Sequence, residues 1–425
     1  MIYQGSINLK YQLFFERITL FFLIMSIFAQ IKLIIRRIET LAMYFFSFLL
    51  NKTLFKNRVP DDTLISSIMV IKLDNVGDIV LSSLLMSAVA ERFGNAKIVY
   101  VVKKGLKDLL FPLDSVSEVV EVPYGKGHCS QMRDNEKTDE RAARSIIKKY
   151  LKEQRPQMIV DLRTSSLGNF AAVMARVCAG TRFRVTIDLF RIKEIFGIRA
   201  DRRAKWDRHE VETFYFAMRD AGIFPRGPDY RSGLRFWDLS KKLSQDICPA
   251  GFSTDRPFIL VQPGAVWEFK RWPSAYYSKL ISSIAGHYWD ASFVLVGTAD
   301  ERETSMKVFD RLDEKTRERT TVLTGKTSLK ELVALVNLAE LVIANDSGVA
   351  HIAGALGIRT IVFFGPSSPE RFEPLSIHEG NIKVFHRRME CCPCDQMNCR
   401  YDRDSYCLSR ISPGLVEEYV ENVLA

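Results

Sequence analysis

Three segments far apart in the chain hold the residues best placed to do chemistry. Asp78 lies in IKLDNVGDIVLSSLL at Ile71–Leu85, Lys270 in VQPGAVWEFKRWP at Val261–Pro273, and Asp346 in ANDSGVAHIAGALG at Ala344–Gly357. The first and third read as a buried strand, a tight polar or Gly-bearing turn and then a helix, the layout in which backbone N–H groups at a helix N-terminus meet an anion. The second runs from a strand into a loop with two adjacent cations, Lys270 and Arg271. A carboxylate at the carboxyl edge of a sheet can accept a proton from an attacking hydroxyl. A lysine beside helix-terminal amides can hold an anionic leaving group. Asp78 and Asp346 could equally cap the helices that follow them, as Asp readily does. Three such turns in one chain point to a site shared between two Rossmann-like halves.

Strands and helices must alternate to place these turns. Short aliphatic segments at Ile68–Leu73, Lys97–Val102, Glu118–Pro123 and Met158–Leu162 predict parallel-type strands. Helical patterns fall at Ile79–Phe93, Arg141–Gln154, Leu167–Ala179 and Val211–Ala221. Pro225, Gly227, Pro228, Pro249 and Gly251 punctuate a break, after which the alternation resumes. Strands are expected there at Phe258–Gln262, Ser292–Val296, Thr320–Leu323, Leu341–Ala344 and Thr360–Phe364, with helices at Ser274–His287, Arg302–Leu312, Ser328–Leu338 and Gly348–Leu356. This pattern predicts an α/β protein of two doubly wound domains facing across a cleft, over 56–240 and 250–410, with a last helix in 411–425.

A chain of 425 residues is too long for one ordinary core, and its 47% hydrophobic and 26% charged content is that of a folded protein. The net charge of +10 is unevenly placed: residues 1–60 carry eight Lys or Arg against Glu16 and Glu39. More than half of the excess thus sits in residues 1–60, on and just beyond one apolar arm, 1–55. That favours an anionic membrane surface as partner and argues against nucleic acid, which calls for a basic face on the folded body. The uncharged run Ile18–Ile31 is shorter than the ~20 residues that span a bilayer. Helices lying in the interface of the cytoplasmic leaflet fit this composition better than a span.

Together the three segments resemble the glycosyltransferase family that contains the lipopolysaccharide heptosyltransferases, family 9. The resemblance covers roughly Ile68 to Val423. It is carried by Lys72-Leu73-Asp74-Asn75-Val76-Gly77-Asp78-Ile79-Val80-Leu81-Ser82, by Pro263-Gly264-Ala265 with Lys270-Arg271-Trp272-Pro273, by Asn345 to Gly357, by Phe364-Gly365-Pro366-Ser367, and by a weaker match at His209, Val211 and Glu212. It implies the GT-B arrangement, with the last helix, about Pro413–Val423, crossing back to the first domain. Departures are mild: Leu84 and Val349 stand where many relatives have Pro, and Gln262 replaces a frequent His.

The resemblance also implies roles. Asp78 becomes the proposed general base, with Gly77 permitting a tight turn and close approach of the acceptor. Lys270 contacts the donor phosphate, the backbone at Ser347 and Gly348 offers N–H groups to the same diphosphate, and Asp346 binds hydroxyls of the donor sugar. Gly264 belongs to the same donor loop. Glu301 or Glu303, after a strand, could hold the ribose hydroxyls or simply begin a solvated helix. His351 reads as a core histidine bonded to a backbone carbonyl. An anionic sugar–lipid acceptor calls for cations of the first domain, for which Lys103, Lys104, Arg163 and Arg184 are the candidates.

Five cysteines cluster near the C-terminus. The spacing of Cys391, Cys394, Cys399 and Cys407 suits a tetrahedral metal site in count, so structural zinc, plain thiols and redox-labile pairs stay open. The expected activity is inverting, metal-independent transfer of heptose from ADP-heptose to the inner core of lipopolysaccharide, on the cytoplasmic face of a bacterial inner membrane, with no cofactor required. Its rivals are the same mechanism with another nucleotide sugar in surface-polysaccharide assembly, and a non-catalytic nucleotide-sugar-binding membrane protein.

Overall fold

The computed structural model describes residues 64–94, 96–124, 140–162, 166–186, 208–224, 230–239, 249, 256–288, 290–394, 399 and 406–424, with isolated positions between 42 and 59. Of the arm, only positions 42, 45, 46, 49, 54 and 55 fall within the description, and the first five are helical and exposed. Phe55 and Val59 are already buried in the folded body, and the Val59 N–H donates to the Ala221 carbonyl at 2.7 Å. Among the described residues no helix is long and apolar enough to cross a membrane.

Two wholly parallel sheets organise the body. The first contains β1 (Ser67–Ile71), β2 (Lys97–Lys103), β3 (Val116–Val122), β4 (Met158–Asp161) and β5 (Phe183–Thr186), in the order β3-β2-β1-β4-β5. The second contains β6 (Phe258–Gln262), β7 (Ser292–Leu295), β8 (Thr320–Val322), β9 (Leu341–Asn345), β10 (Thr360–Phe364) and β11 (Ile382–His386), in the order β11-β10-β9-β6-β7-β8. Every residue of β6, β9 and β10 is buried, as expected of central strands covered on both faces. In each sheet the strand order reverses beside a central strand, between β1 and β4 and between β6 and β9. The crevice at the carboxyl ends of such a pair is where ligands of doubly wound folds sit.

The helices that matter for the site are α1 (Val76–Ser83), α2 (Met86–Arg92), α3 (Glu140–Gln154), α4 (Ser166–Met174) and α5 (Glu210–Asp220) in the first half. The second half adds α6 (Ser274–His287), α7 (Arg302–Phe309), α8 (Glu314–Glu318), α9 (Leu329–Leu338), α10 (Gly348–Ala355), α11 (Pro369–Phe372), α12 (Tyr406–Ser409) and α13 (Pro413–Leu424). Two strands, β5 and β11, go beyond the sequence reading. The single helix expected over Ile79–Phe93 is instead two. Ser82 and Ser83 turn their hydroxyls back onto the Ile79 and Val80 carbonyls, and the Leu84 carbonyl accepts the Arg235 N–H from the inter-half segment. The first of the two begins three residues early, at Val76, so Asp78 lies inside its first turn and does not cap it. The last helix, α13, packs on α6 through Val416 and Val420, and Ser283 hydrogen-bonds Glu417. It therefore rests on the second half, not back on the first.

The core is continuous across the halves. One apolar cluster joins Ile68, Val70 and Leu84 of the first half to Leu260, Val349 and Ala353 of the second, with Leu234, Trp237 and Leu239 of the connecting segment inside it. The Trp237 backbone N–H donates to Ala355 and its indole N–H to Ser83, stitching one residue to both sides.

Candidate active site

The carboxyl end of β1 brings three charges together. Lys72 is buried, donates to the Leu162 carbonyl at 3.2 Å, pairs with Asp74 at 2.7 Å and lies 4.4 Å from the Phe214 ring centre on α5. Asp78 follows in the first turn of α1, partly buried, with the Asn75 backbone N–H available to its carboxylate. Burial pushes its pKa up to about 6; Asp74 and Glu210 add to this, and Lys72 and the Asn75 N–H oppose it. A carboxylate poised there is ionised at neutral pH yet basic enough to take a proton, as a general base must be.

The facing crevice of the second sheet is organised by a residue to which sequence reasoning gave no role. The buried Asn345 side chain accepts the Trp272 N–H at 2.8 Å and donates to the Pro263 and Gly264 carbonyls at 3.0 and 2.9 Å. It ties both ends of the loop after β6 to the end of β9. Trp272, fully buried, stacks on Phe363 at 4.2 Å and locks the loop's exit into the core. The loop thus delivers Lys270 to Asp346, Nζ to Oδ2 at 2.5 Å, with side-chain exposures of 21% and 6%. Ser367, from the loop after β10, donates to the same oxygen at 2.6 Å. Burial disfavours ionisation of Asp346, but Lys270 and Ser367 outweigh it and hold the carboxyl below its ordinary value. Asp346 precedes α10 but does not cap it; Ser347 occupies the cap position and turns its hydroxyl away to Gln262 at 2.5 Å. The first amides of α10 therefore have no side-chain cap and are positioned for an anion beside Lys270.

The two crevices meet helix to helix. Gly77 owes its place to the second half and not to a turn: a Cβ there would stand 2.6 Å from Cδ2 of His351. Reciprocally, a Cβ on Gly348 would stand 2.6 Å from Val76. His351 is buried, burial lowers its pKa to about 4, and its Nδ1 has no hydrogen-bond partner among the described residues, so no carbonyl bond of the kind expected of this histidine is made there. The first turn of α1, with Asp78, is thereby set against the first turn of α10.

Other candidates fall in varied places. Glu301 is buried beneath the donor loop, accepts the Thr298 N–H at 2.8 Å, and crowds both Gly264 and Gly297 so closely that neither position has room for a Cβ. It is buried rather than solvated, and its bond to Thr298 is one half of a capping box that begins the helical turn before α7. Glu303 is exposed and pairs with Lys307 at 2.7 Å. Arg271 binds the Ala265 carbonyl and Thr304, which makes it a loop brace. Lys103 reaches Asn75, just before α1, at 3.3 Å, on the rim of the first crevice. Arg184 cannot meet an acceptor: it is buried against Asp161 and Asn169, each at 2.9 Å. Arg163 lies outside the described residues.

The cysteines gather around one that the spacing passed over. Cys392 donates to the Gly365 carbonyl at 2.9 Å and lies 3.3 Å from His386, with Cys407 in hydrogen-bonding contact. No three ligating atoms of Cys391, Cys394, Cys399 and Cys407 lie within 4.8 Å of one another; among the described residues only His287, Glu417 and Glu421 meet that condition. The segment instead braces the Gly365–Ser367 turn behind Asp346, where the Cys394 N–H donates to Pro366 at 2.8 Å.

A poised carboxylate on one sheet, set against an uncapped helix start and a lysine on the other, is the layout of a group-transfer enzyme acting on an anionic donor. Residues 145–404 match glycosyltransferase family 9 (heptosyltransferase), and the chain belongs to that family. It is 27% identical over 327 residues to lipooligosaccharide heptosyltransferase 2 of Haemophilus influenzae, covering 73% of this chain and 86% of the relative. Against lipopolysaccharide heptosyltransferase 2 of Escherichia coli it is 26% identical over 321 residues, covering 74% and 87%. Among solved structures, E. coli ADP-heptose LPS heptosyltransferase II superposes with a TM-score of 0.63 at 23% identity, covering 84% of this chain and 98% of that one. A family 9 glycosyltransferase from Veillonella parvula gives 0.64 at 18%, covering 86% and 99%. The fold is shared with both.

Proposed function

We propose that this glycosyltransferase moves heptose from ADP-heptose to the inner core of lipopolysaccharide, with inversion, at the cytoplasmic face of a bacterial inner membrane. The observation that supports the reading is the apposition of α1 and α10, where Gly77, next to Asp78, meets His351, and Gly348, two residues after Asp346, meets Val76. Asp78 takes the proton of the acceptor hydroxyl as its oxygen attacks the anomeric carbon. The bond from that carbon to the diphosphate breaks on the opposite face, and the departing charge falls to Lys270 and the first amides of α10. Asp346, kept ionised, accepts hydrogen bonds from sugar hydroxyls while Ser367 holds its other side. Lys270 and the helix amides supply the positive charge at the diphosphate, so no divalent cation is required. The basic, apolar arm lies in the cytoplasmic leaflet, close to an anionic sugar–lipid acceptor reached past Lys103. Structural zinc at the cysteines would require them to draw together behind the Gly365–Ser367 turn.

One residue supports a second reading, the same mechanism with a different nucleotide sugar: Gln262, which positions Ser347 at the donor crevice where many relatives have His. Thermal stabilisation by ADP-heptose, other ADP-sugars and UDP- or GDP-sugars, measured side by side, separates the two. Selective stabilisation by ADP-heptose supports the first, and selective stabilisation by a UDP- or GDP-sugar replaces it.

A further inference from the structure

Beyond the apolar seam, the halves are joined by a polar contact that includes Glu210, whose charge also helps to raise the pKa of Asp78. His209 caps α5 by accepting the Val211 N–H on Nδ1 at 3.2 Å. That leaves Nε2 as the protonated nitrogen, and it donates to the Glu373 carbonyl at 2.8 Å, 164 residues away. The next residue, Glu210, receives Arg371 of α11 on one carboxylate oxygen, from Nε at 3.3 Å and Nη2 at 3.1 Å. Glu210 and Arg371 are only 6% and 15% exposed.

We infer that Glu210–Arg371 and His209–Glu373 form a clamp that sets the register of the two halves, making these residues positioning groups for transfer. Each side of the clamp leads by a short path to the site. On the first half, α5 contacts Lys72 through Phe214, and Lys72 stands beside Asp74 at the mouth of α1. On the second, Arg371 follows Ser367, which holds Asp346, by four residues. The apolar cluster across the seam brings the halves together, but apolar burial is non-directional and tolerates small rotations. A buried ion pair adds little net stability, because desolvation offsets its attraction. What it does add is direction, with two donors converging on one oxygen and a hydrogen bond fixed by a single tautomer. Transfer between a base on one half and a donor on the other needs that direction, since a misplacement of ~1 Å costs ~10²-fold in rate.

This inference rests on the transfer reading for its activity arm but not for its structural one. The structural test places spin labels, through an unnatural amino acid, at the exposed Lys148 and Lys315, one on each half. Arg371→Met, Glu210→Gln and the double variant should each broaden the distance distribution between the labels. In the same proteins ADP affinity, read by calorimetry, should stay within ~3-fold while transfer falls ~10²-fold. The double variant should be no worse than either single one, and Arg371→Lys should recover part of the loss. Unchanged label distances overturn the clamp, as does a loss of ADP affinity that parallels the loss of transfer. If even the original protein fails to bind ADP, the donor reading falls, and the label distances still decide the clamp.

Discussion

Replacing Asp78 by Asn should make the protein inactive and, at the same time, more stable. In the unfolded chain this carboxyl ionises at its ordinary 3.8, whereas in the folded protein burial holds it near 6. Between those values the folded state keeps a proton that the unfolded chain has released, so stability falls as pH rises through the window. Above about pH 6 the whole penalty is present. At ~1.4 kcal/mol per pH unit it amounts to ~3 kcal/mol at pH 7 to 8. Asn removes the charge while its side-chain oxygen can still accept the Asn75 N–H. Asp78→Asn should therefore gain up to ~3 kcal/mol at pH 8, a few degrees in Tm, and lose that gain below about pH 4. Denaturant unfolding at pH 4, 6 and 8 measures it, beside an assay of nucleotide release in which turnover should drop by ~10²-fold or more. An equal effect at pH 4 and pH 8 would show that Asp78 is not ionised under strain in the folded state. Near-normal turnover would remove it from the chemistry.

Lys270→Ala should weaken ADP binding ~10- to 100-fold, as loss of a charge-assisted bond does. Asp346→Ala should leave ADP binding unchanged or tighter, because Lys270 no longer has to leave a carboxylate, while sugar-nucleotide binding weakens; calorimetry with both ligands tests the contrast. Transfer should persist in excess chelator. Reversible loss restored by Mg²⁺ would refute this, whereas loss with unfolding that only Zn²⁺ reverses would point to the cysteines. Deleting residues 1–50, a cut that spares the buried Phe55, should release the protein from membranes with donor binding intact. Fractionation with carbonate and salt washes decides this, and equal retention of both forms would show that the arm is not the anchor.

The fold was legible where burial is uniform. Phe258–Val261 and Ile361–Phe364 are uninterrupted apolar runs inside a sheet, and the strands extend them by one polar residue each. FRVT at Phe183–Thr186 was missed because it carries an arginine that becomes a core residue only once Asp161 neutralises it. IKVFH at Ile382–His386 is an edge strand with a lysine at its second position. In the site, Asp78, Lys270 and Asp346 each follow an aliphatic strand, but it was the resemblance to family 9 that gave them roles rather than helix caps. Asn345, Ser367 and Glu210 fall within or beside the motifs, but their roles could not be read, since their partners lie 73, 21 and 161 residues away. Gly77 offered a signal that was read differently: a small residue in a helix can admit a neighbour as well as a turn, and here it admits His351.

The stitched seam has a consequence for modular exchange. Donor-binding and acceptor-binding halves of such enzymes invite recombination as cassettes, cut in the punctuated stretch between them. Here Trp237 hydrogen-bonds to Ser83 on one side and Ala355 on the other, and Leu234, Trp237 and Leu239 lie within a core that both halves share. Neither half closes its own apolar surface, so an isolated half would carry the exposed face of its neighbour's core into solution. A chimera inherits the same constraint. It must take residues 230–239 together with matched first turns of α1 and α10, where Gly77 meets His351 and Gly348 meets Val76. Recombinants joined anywhere else would pair two surfaces never shaped for each other, and solubility would fail before specificity could change.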